Sequence, residues 1–107
     1  MAMREPTYLI LVSLGQGERH GYGIIQEVAE LSEGRVAIGA GTLYGALDRL
    51  VDDGLVVATR QETVNGRLRL YYALTDAGGV TVRSETEHRL SIARTAASHL
   101  GLAGGMA

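Results

Sequence analysis

Apolar residues along this chain keep helical spacing through its first half, switch to strand spacing, and then return to helix. Pro6 is placed to open a first helix, where its fixed φ suits the first turn and its missing N–H is not needed. Leu9, Ile10, Val12 and Leu14 continue that helix, and Gly15 with Gly17 ends it. After "HGYG", the residues Ile24, Ile25, Val28 and Leu31 recur at helical intervals, with Gln26, Glu27 and Glu30 on the other side and Gly34 as the stop. "RVAIGAG" reads as a short extended link. A third helix is predicted over about 41–53, with Leu43, Leu47 and Leu50 as its buried stripe and Gly54 ending it.

The period then changes. "LVVATRQ" (55–61) and "LRLYYAL" (68–74) are β-rich runs on either side of Asn65-Gly66, a pair that accepts the positive φ angles of a two-residue hairpin turn. On the second strand, Leu68, Leu70, Tyr72 and Leu74 are expected to face one way, and Arg69, Tyr71 and Ala73 the other. A two-residue turn sets Glu62 opposite Arg69. Thr75 or Asp76 then caps a fourth helix of about 24 residues, and "GLAGGMA" reads as a loose tail. No repeat or linker divides the chain.

Helix, helix, helix, hairpin, long helix is the order of a winged helix-turn-helix followed by a packing helix. The expected class is α+β, mainly α. Residues 1–75 form the winged domain, 76–100 the C-terminal helix and 101–107 the tail. In such a fold the third helix enters the DNA major groove and the hairpin, about 60–69, runs along the backbone. Gly41, Thr42, Tyr44 and Gly45 then face the duplex. The glycines allow close approach, and the helix-start N–H groups and two hydroxyls suit phosphate oxygens. Arg49, Arg60, Arg67 and Arg69 supply local positive charge. For Thr42 the competing role is a helix-capping hydroxyl, and for Tyr44 it is cover for the core edge.

Composition qualifies this picture. The 107 residues are 46% hydrophobic, enough for one self-sufficient domain, and the core must be aliphatic because Phe and Trp are absent. Cysteine is absent too, so disulfides and thiolate metal sites are excluded, which fits a reducing cytosol. The longest apolar run, Tyr8–Leu14, is too short to span a bilayer, so a soluble, cytoplasmic protein without a membrane partner is expected. The net charge of −2 weighs against nucleic-acid binding, and the placement of the ten basic residues, all arginine, must decide.

At this point three blocks carry a resemblance. "HGYGI" (20–24), "GTLYGALDRLVDDGLV" (41–56) and "GRLRLYYALTDAG" (66–78) resemble the PadR family of bacterial transcriptional regulators, in its order and spacing. The likeness covers about residues 5–78. It implies a homodimeric winged-helix repressor that binds double-stranded operator DNA as an inverted repeat, with the fourth helix forming the dimer. A single C-terminal helix resembles the shorter subgroup of the family, in which small-molecule effectors bind between subunits. The family often has proline after its Leu-Tyr; Gly45 stands there in this chain.

On the fourth helix, Val82, Thr86, Leu90, Ala93, Ala97 and Leu100 recur at intervals of three and four, a weak seam for a partner helix. The first helix is expected to add to it through Tyr8, Ile10 or Leu11. The competing arrangement folds this helix back on its own domain. Glu85 and His88 have a spacing known from carboxylate-bridged metal helices, but such sites need further carboxylates from other helices and the signal is one short motif, so no metal or cofactor is expected. Neither a phosphate loop nor a nucleophile–base set is present, which argues against an enzyme. The alternative function is a winged-helix module for protein–protein contact, without DNA binding.

Overall fold

The computed structural model describes residues 3–102 and forms four helices and one three-stranded sheet. The helices are α1 (Glu5–Ser13), α2 (Gly21–Leu31), α3 (Ala40–Asp52) and α4 (Asp76–His99). The strands are β1 (Arg19–His20), β2 (Val56–Val64) and β3 (Arg67–Leu74). All pairings are antiparallel, in the order β1-β3-β2.

The predicted α+β architecture is present, with boundaries shifted by a residue or two. α3 starts at Ala40 behind Gly39, and both hairpin strands extend closer to the turn than expected. Residues 103–107, most of the expected tail, lie outside the described residues. The strand β1 has no counterpart in the sequence pattern, because two polar residues carry no alternation to read. It pairs Arg19 with Tyr72 and His20 with Tyr71, closing the sheet on the side away from β2.

Local chemistry fixes the connections. Asn65 and Gly66 take φ of 52° and 76°, the left-handed pair that a two-residue hairpin needs, and Glu62 sits opposite Arg69. Gly54, at φ 77°, reverses the chain after α3, and Leu55 N–H reaches back to the Leu50 carbonyl. Thr75 caps α4 by accepting from the Gly78 N–H at 3.0 Å.

The core is aliphatic and central to the helices. Leu9, Ile10, Leu11 and Leu14 of the α1 segment meet Ile24 and Val28 of α2, Leu43, Ala46, Leu47 and Leu50 of α3, and Val56, Tyr72 and Val82. Leu31 lies outside it, exposed at the end of α2. The hairpin departs from its predicted face. Tyr72 is buried, but Leu68 is 62% exposed and Leu70 is also open, because the outer half of the hairpin projects beyond the body. That projection makes it a wing.

The molecule measures 54 × 27 × 21 Å, and its long dimension reflects α4. At 1.5 Å per residue the 24-residue helix is about 36 Å long. Its first turns pack on α1 and the sheet, and Gly78 and Val82 are buried there. Leu90, Ile92 and Leu100 further along are exposed.

Candidate nucleic-acid interface

The N-terminal turn of α3 is presented outward by the leucines behind it. Leu43 and Leu47 are fully buried, so Gly41, Thr42 and Tyr44 fall on the open side. Thr42 does not serve as the cap. That position belongs to Gly39, which makes no side-chain bond to the helix start. A side chain at Gly41 would meet only open space, and one at Gly45 would touch nothing nearer than the Arg49 guanidinium at 3.9 Å. Packing inside the protomer therefore demands neither glycine.

Tyr44 fills the packing role expected of it while remaining partly open. Its hydroxyl lies against Gly21 at the start of α2, where any Cβ would collide with it, yet the residue stays 38% exposed. Beside this contact α2 opens with His20 as its cap, Nδ1 accepting from the Gly23 N–H at 3.2 Å. The His20 ring sits edge-on to Tyr71 at 5.4 Å between centroids. Burial pushes the His20 pKa below the ordinary histidine value, and the Arg69 charge adds to the effect, while Glu62 opposes it.

These groups share one shallow groove. His20, Gly21, Tyr22 and Tyr44 line one wall and the wing segment Arg67–Leu70 lines the other. Tyr22, largely exposed, is a residue of this face that sequence reasoning misses; its place in "HGYG" before an apolar-periodic run is the available signal. Arg67, Arg69 and Arg49 enter no ion pair with any described residue. In particular, Asp48, Asp52 and Asp53 do not neutralise Arg49.

Arg60 is engaged differently from the other arginines of this region. Its place near the wing groups it with the cations of this face, but its Nε donates to Glu18 at 2.6 Å and its Nη1 to Glu62 at 3.0 Å. Its guanidinium also lies 3.8 Å from the centre of the Tyr71 ring. Two carboxylates thus hold its charge, and hydrogen bonds from Thr59 and Arg60 keep the Glu18 pKa below the ordinary carboxylate range.

The residues expected at a subunit seam divide in two. Leu11 and Val82 belong to the protomer's own core and have no surface to offer a partner. Ala97 is also buried, at the end of α4 where the Leu102 N–H turns back to its carbonyl. Tyr8 and Thr86 bond to each other at 2.6 Å, fastening α1 to α4. Arg89 reinforces the joint by lying 4.1 Å over the Tyr8 ring, donating to the Met3 carbonyl at 2.7 Å and pairing with Glu85. Leu90, Ala93 and Leu100 remain exposed. Glu85, half of the metal-type spacing on this helix, is occupied by this arginine.

Comparison with known proteins identifies the arrangement. The family model described as the transcriptional regulator PadR-like family matches residues 10–84. The transcriptional regulator Rv3488 of Mycobacterium tuberculosis is 38% identical over 92 residues, covering 86% of this chain and 79% of the relative. Among solved structures, Bacillus subtilis PadR in complex with operator DNA superposes with a TM-score of 0.66 at 27% identity. That match covers 76% of this chain, which spans 46% of the Bacillus protein. A PadR family transcription regulator from Clostridium difficile shares the fold over 91% of this chain and 99% of its own, with a TM-score of 0.77 at 24% identity. With a winged fold, an outward helix start and a family match over most of its length, this chain belongs to the PadR-like family of transcriptional regulators, a family of regulators rather than of enzymes.

Proposed function

We propose that the protein is a homodimeric repressor that binds an inverted-repeat operator, with α3 in the major groove and the wing on the backbone. The observation that carries this reading is the convergence of three elements on one groove: α3 with Tyr44, the start of α2 with Tyr22, and the wing with Arg67 and Arg69. Helix-start N–H groups and free guanidiniums are donors for phosphate, and Gly41 and Gly45 leave room for a duplex to approach. That the structurally similar Bacillus subtilis PadR is solved in complex with operator DNA supports DNA as the ligand.

The surface of α4 supports the dimer part of this reading. Its distal half exposes Leu90, Ile92 and Leu100, apolar surface that a second copy would cover. Two recognition helices roughly 34 Å apart would then read successive major grooves. A small-molecule effector between subunits would alter that separation, so that only one half-site engages at a time. The chain has no tryptophan to stack on a flat aromatic effector, so an aliphatic ligand fits the composition better.

The test is binding to the protein's own upstream promoter DNA and to a scrambled duplex across a salt series. Selective binding whose log K falls linearly with log salt supports the repressor reading, with a slope of about −0.9 for each phosphate contact. A folded protein that binds neither duplex at low salt refutes it, and favours the protein-interaction module that the net charge of −2 tolerates.

A further inference from the structure

Glu18 lies just before β1, at one edge of the sheet, yet its carboxylate bonds to the opposite edge strand. Oε2 accepts from the Thr59 hydroxyl and Oε1 from Arg60 Nε, both at 2.6 Å. Since β3 lies between β1 and β2, this contact bridges the sheet across its middle strand. Arg60 spreads over Tyr71 of β3 and passes on to Glu62, which also accepts from the Tyr71 hydroxyl at 3.3 Å. One carboxylate, one guanidinium and a second carboxylate therefore tie both edges together where the wing leaves the body.

The tie coincides with a break in the sheet. The β2–β3 register passes from Ala58↔Tyr72 to Arg60↔Tyr71, so Thr59 is an extra residue in β2. A bulge bends its strand and increases the local twist, which makes it the place where a wing would change direction. Glu18 fastens both the bulged residue and the one after it.

We propose that Glu18 is a positioning residue for DNA binding: by clamping Thr59 and Arg60 it sets the direction of the wing, and Arg60 serves in the clamp rather than on a phosphate. The proposal rests on the DNA-binding reading above. Its leverage is geometric. Arg67 pairs with Val64, four residues beyond Arg60 on β2, or about 13 Å along the strand. A swing of roughly 15° at the bulge would displace it by about 3 Å at that rise per residue, so a loosened wing must be reordered before Arg67 can meet a phosphate.

The sign of the effect distinguishes this role from bulk electrostatics. Removing an acid beside a DNA-binding surface should strengthen binding if charge alone matters. Removing Glu18 as a clamp should weaken it. The experiment is a salt-series titration of the protein's own promoter duplex with wild type, Glu18→Ala, Glu18→Gln, Arg60→Ala and Arg69→Ala. Each variant is first matched to wild type in dimer content and urea midpoint.

Glu18→Ala and Arg60→Ala are expected to bind about 3- to 10-fold more weakly with an unchanged salt slope, because the wing arginines still reach their phosphates but must first be ordered. Glu18→Gln, which keeps one acceptor oxygen, should recover part of the loss. Arg69→Ala should instead flatten the slope by about 0.9 for each phosphate no longer neutralised. In a double variant the Glu18 and Arg60 losses should not add, since either one opens the clamp. Tighter or unchanged binding by Glu18→Ala overturns the proposal, as does a flattened slope for Arg60→Ala. A wild-type protein that binds no promoter duplex removes the DNA-binding reading, and this role with it. Wild-type binding with indifferent variants removes this role alone.

Discussion

Gly78 and Gly79 are consecutive residues in the first turn of α4, and their replacement by alanine should act in opposite directions. At Gly78 an added Cβ would run into the Leu55 carbonyl oxygen and lie 3.0 Å from the carbonyl carbon and 3.3 Å from Cα. At Gly79 it would meet nothing within 4 Å. The obstacle at Gly78 is backbone that is itself tied down. Leu55 N–H donates to Leu50, and the Leu55 carbonyl accepts from Thr75 N–H at 3.1 Å. To admit a methyl group, α4 must back away from the end of α3. The bonds from Thr75 N–H to Leu55 and from the Thr75 hydroxyl to the Gly54 carbonyl, the latter 2.6 Å long, both lie in that gap.

Overpacking costs about 1–3 kcal/mol. Breaking two hydrogen bonds at roughly 1 kcal/mol each adds about 2. Alanine's better helix propensity returns at most about 1 kcal/mol. Gly78→Ala should thus destabilise by about 2–4 kcal/mol. Gly79→Ala should be neutral or stabilise by up to about 1 kcal/mol. Urea unfolding of both variants and wild type at one protomer concentration measures the difference, the fixed concentration removing the mass-action effect of association. A Gly78→Ala protein as stable as Gly79→Ala would refute the contact between α4 and Leu55 on which the magnitude depends.

Four further outcomes are expected. Tyr44→Phe should weaken promoter binding roughly 2- to 10-fold per half-site, the value of about one net hydrogen bond, without altering the dimer; unchanged affinity removes the hydroxyl from the interface. Gly21→Ala should push the Tyr44 ring off α2, lowering promoter affinity more than stability, and a crystal structure with Tyr44 unmoved would contradict the close packing inferred there. For His20 the folded-state pKa is depressed by burial, so the unfolded chain takes up its proton first and stability falls as pH drops through the ordinary histidine value of 6.5, levelling below the folded value. The urea midpoint of wild type should accordingly fall between about pH 7 and about pH 5.5 by more than that of His20→Asn, which caps without titrating. Tyr8→Phe should loosen α4 from α1, seen as faster amide exchange in the first half of α4, by deleting the 2.6 Å bond to Thr86.

Periodic features of this fold were legible in the sequence. The leucine stripe of α3, the Asn65-Gly66 turn, the Glu62–Arg69 pairing and the Thr75 cap each follow from spacing or from a residue's own conformational preference, and each stands in the structure. What the sequence concealed depends on neighbours distant along the chain. β1 is a strand only because β3 accepts its bonds. Leu68 and Leu70 alternate as a buried face should, but nothing covers them, since alternation encodes a face and not the presence of a second layer. Leu11 sits on a helix expected to meet a partner and points into the core instead, because five apolar positions among the six residues 9–14 leave the orientation of so short a helix undetermined by period alone.

The arginines make the same distinction at the level of the candidate site, and they answer the objection raised by a net charge of −2. Arg19 reaches the Ser13 carbonyl and Glu27, Arg60 reaches Glu18 and Glu62, and Arg89 reaches the Met3 carbonyl and Glu85. Each joins elements of the fold while pairing with acids, so four carboxylates and part of the acidic excess are spent inside the protomer. Arg49, Arg67 and Arg69 lie outside every described ion pair. On the proposed reading, a phosphate approaching α3 and the wing would meet cations with no ion-paired carboxylate to displace, and screening beyond a Debye length of about 8 Å lets local charge count for more than the total. A net count treats all ten arginines alike. Among the described residues the fold distinguishes the three arginines that pair with acids from the seven that do not. On the proposed DNA-binding reading, Arg49, Arg67 and Arg69 of the second group should set the salt dependence of binding.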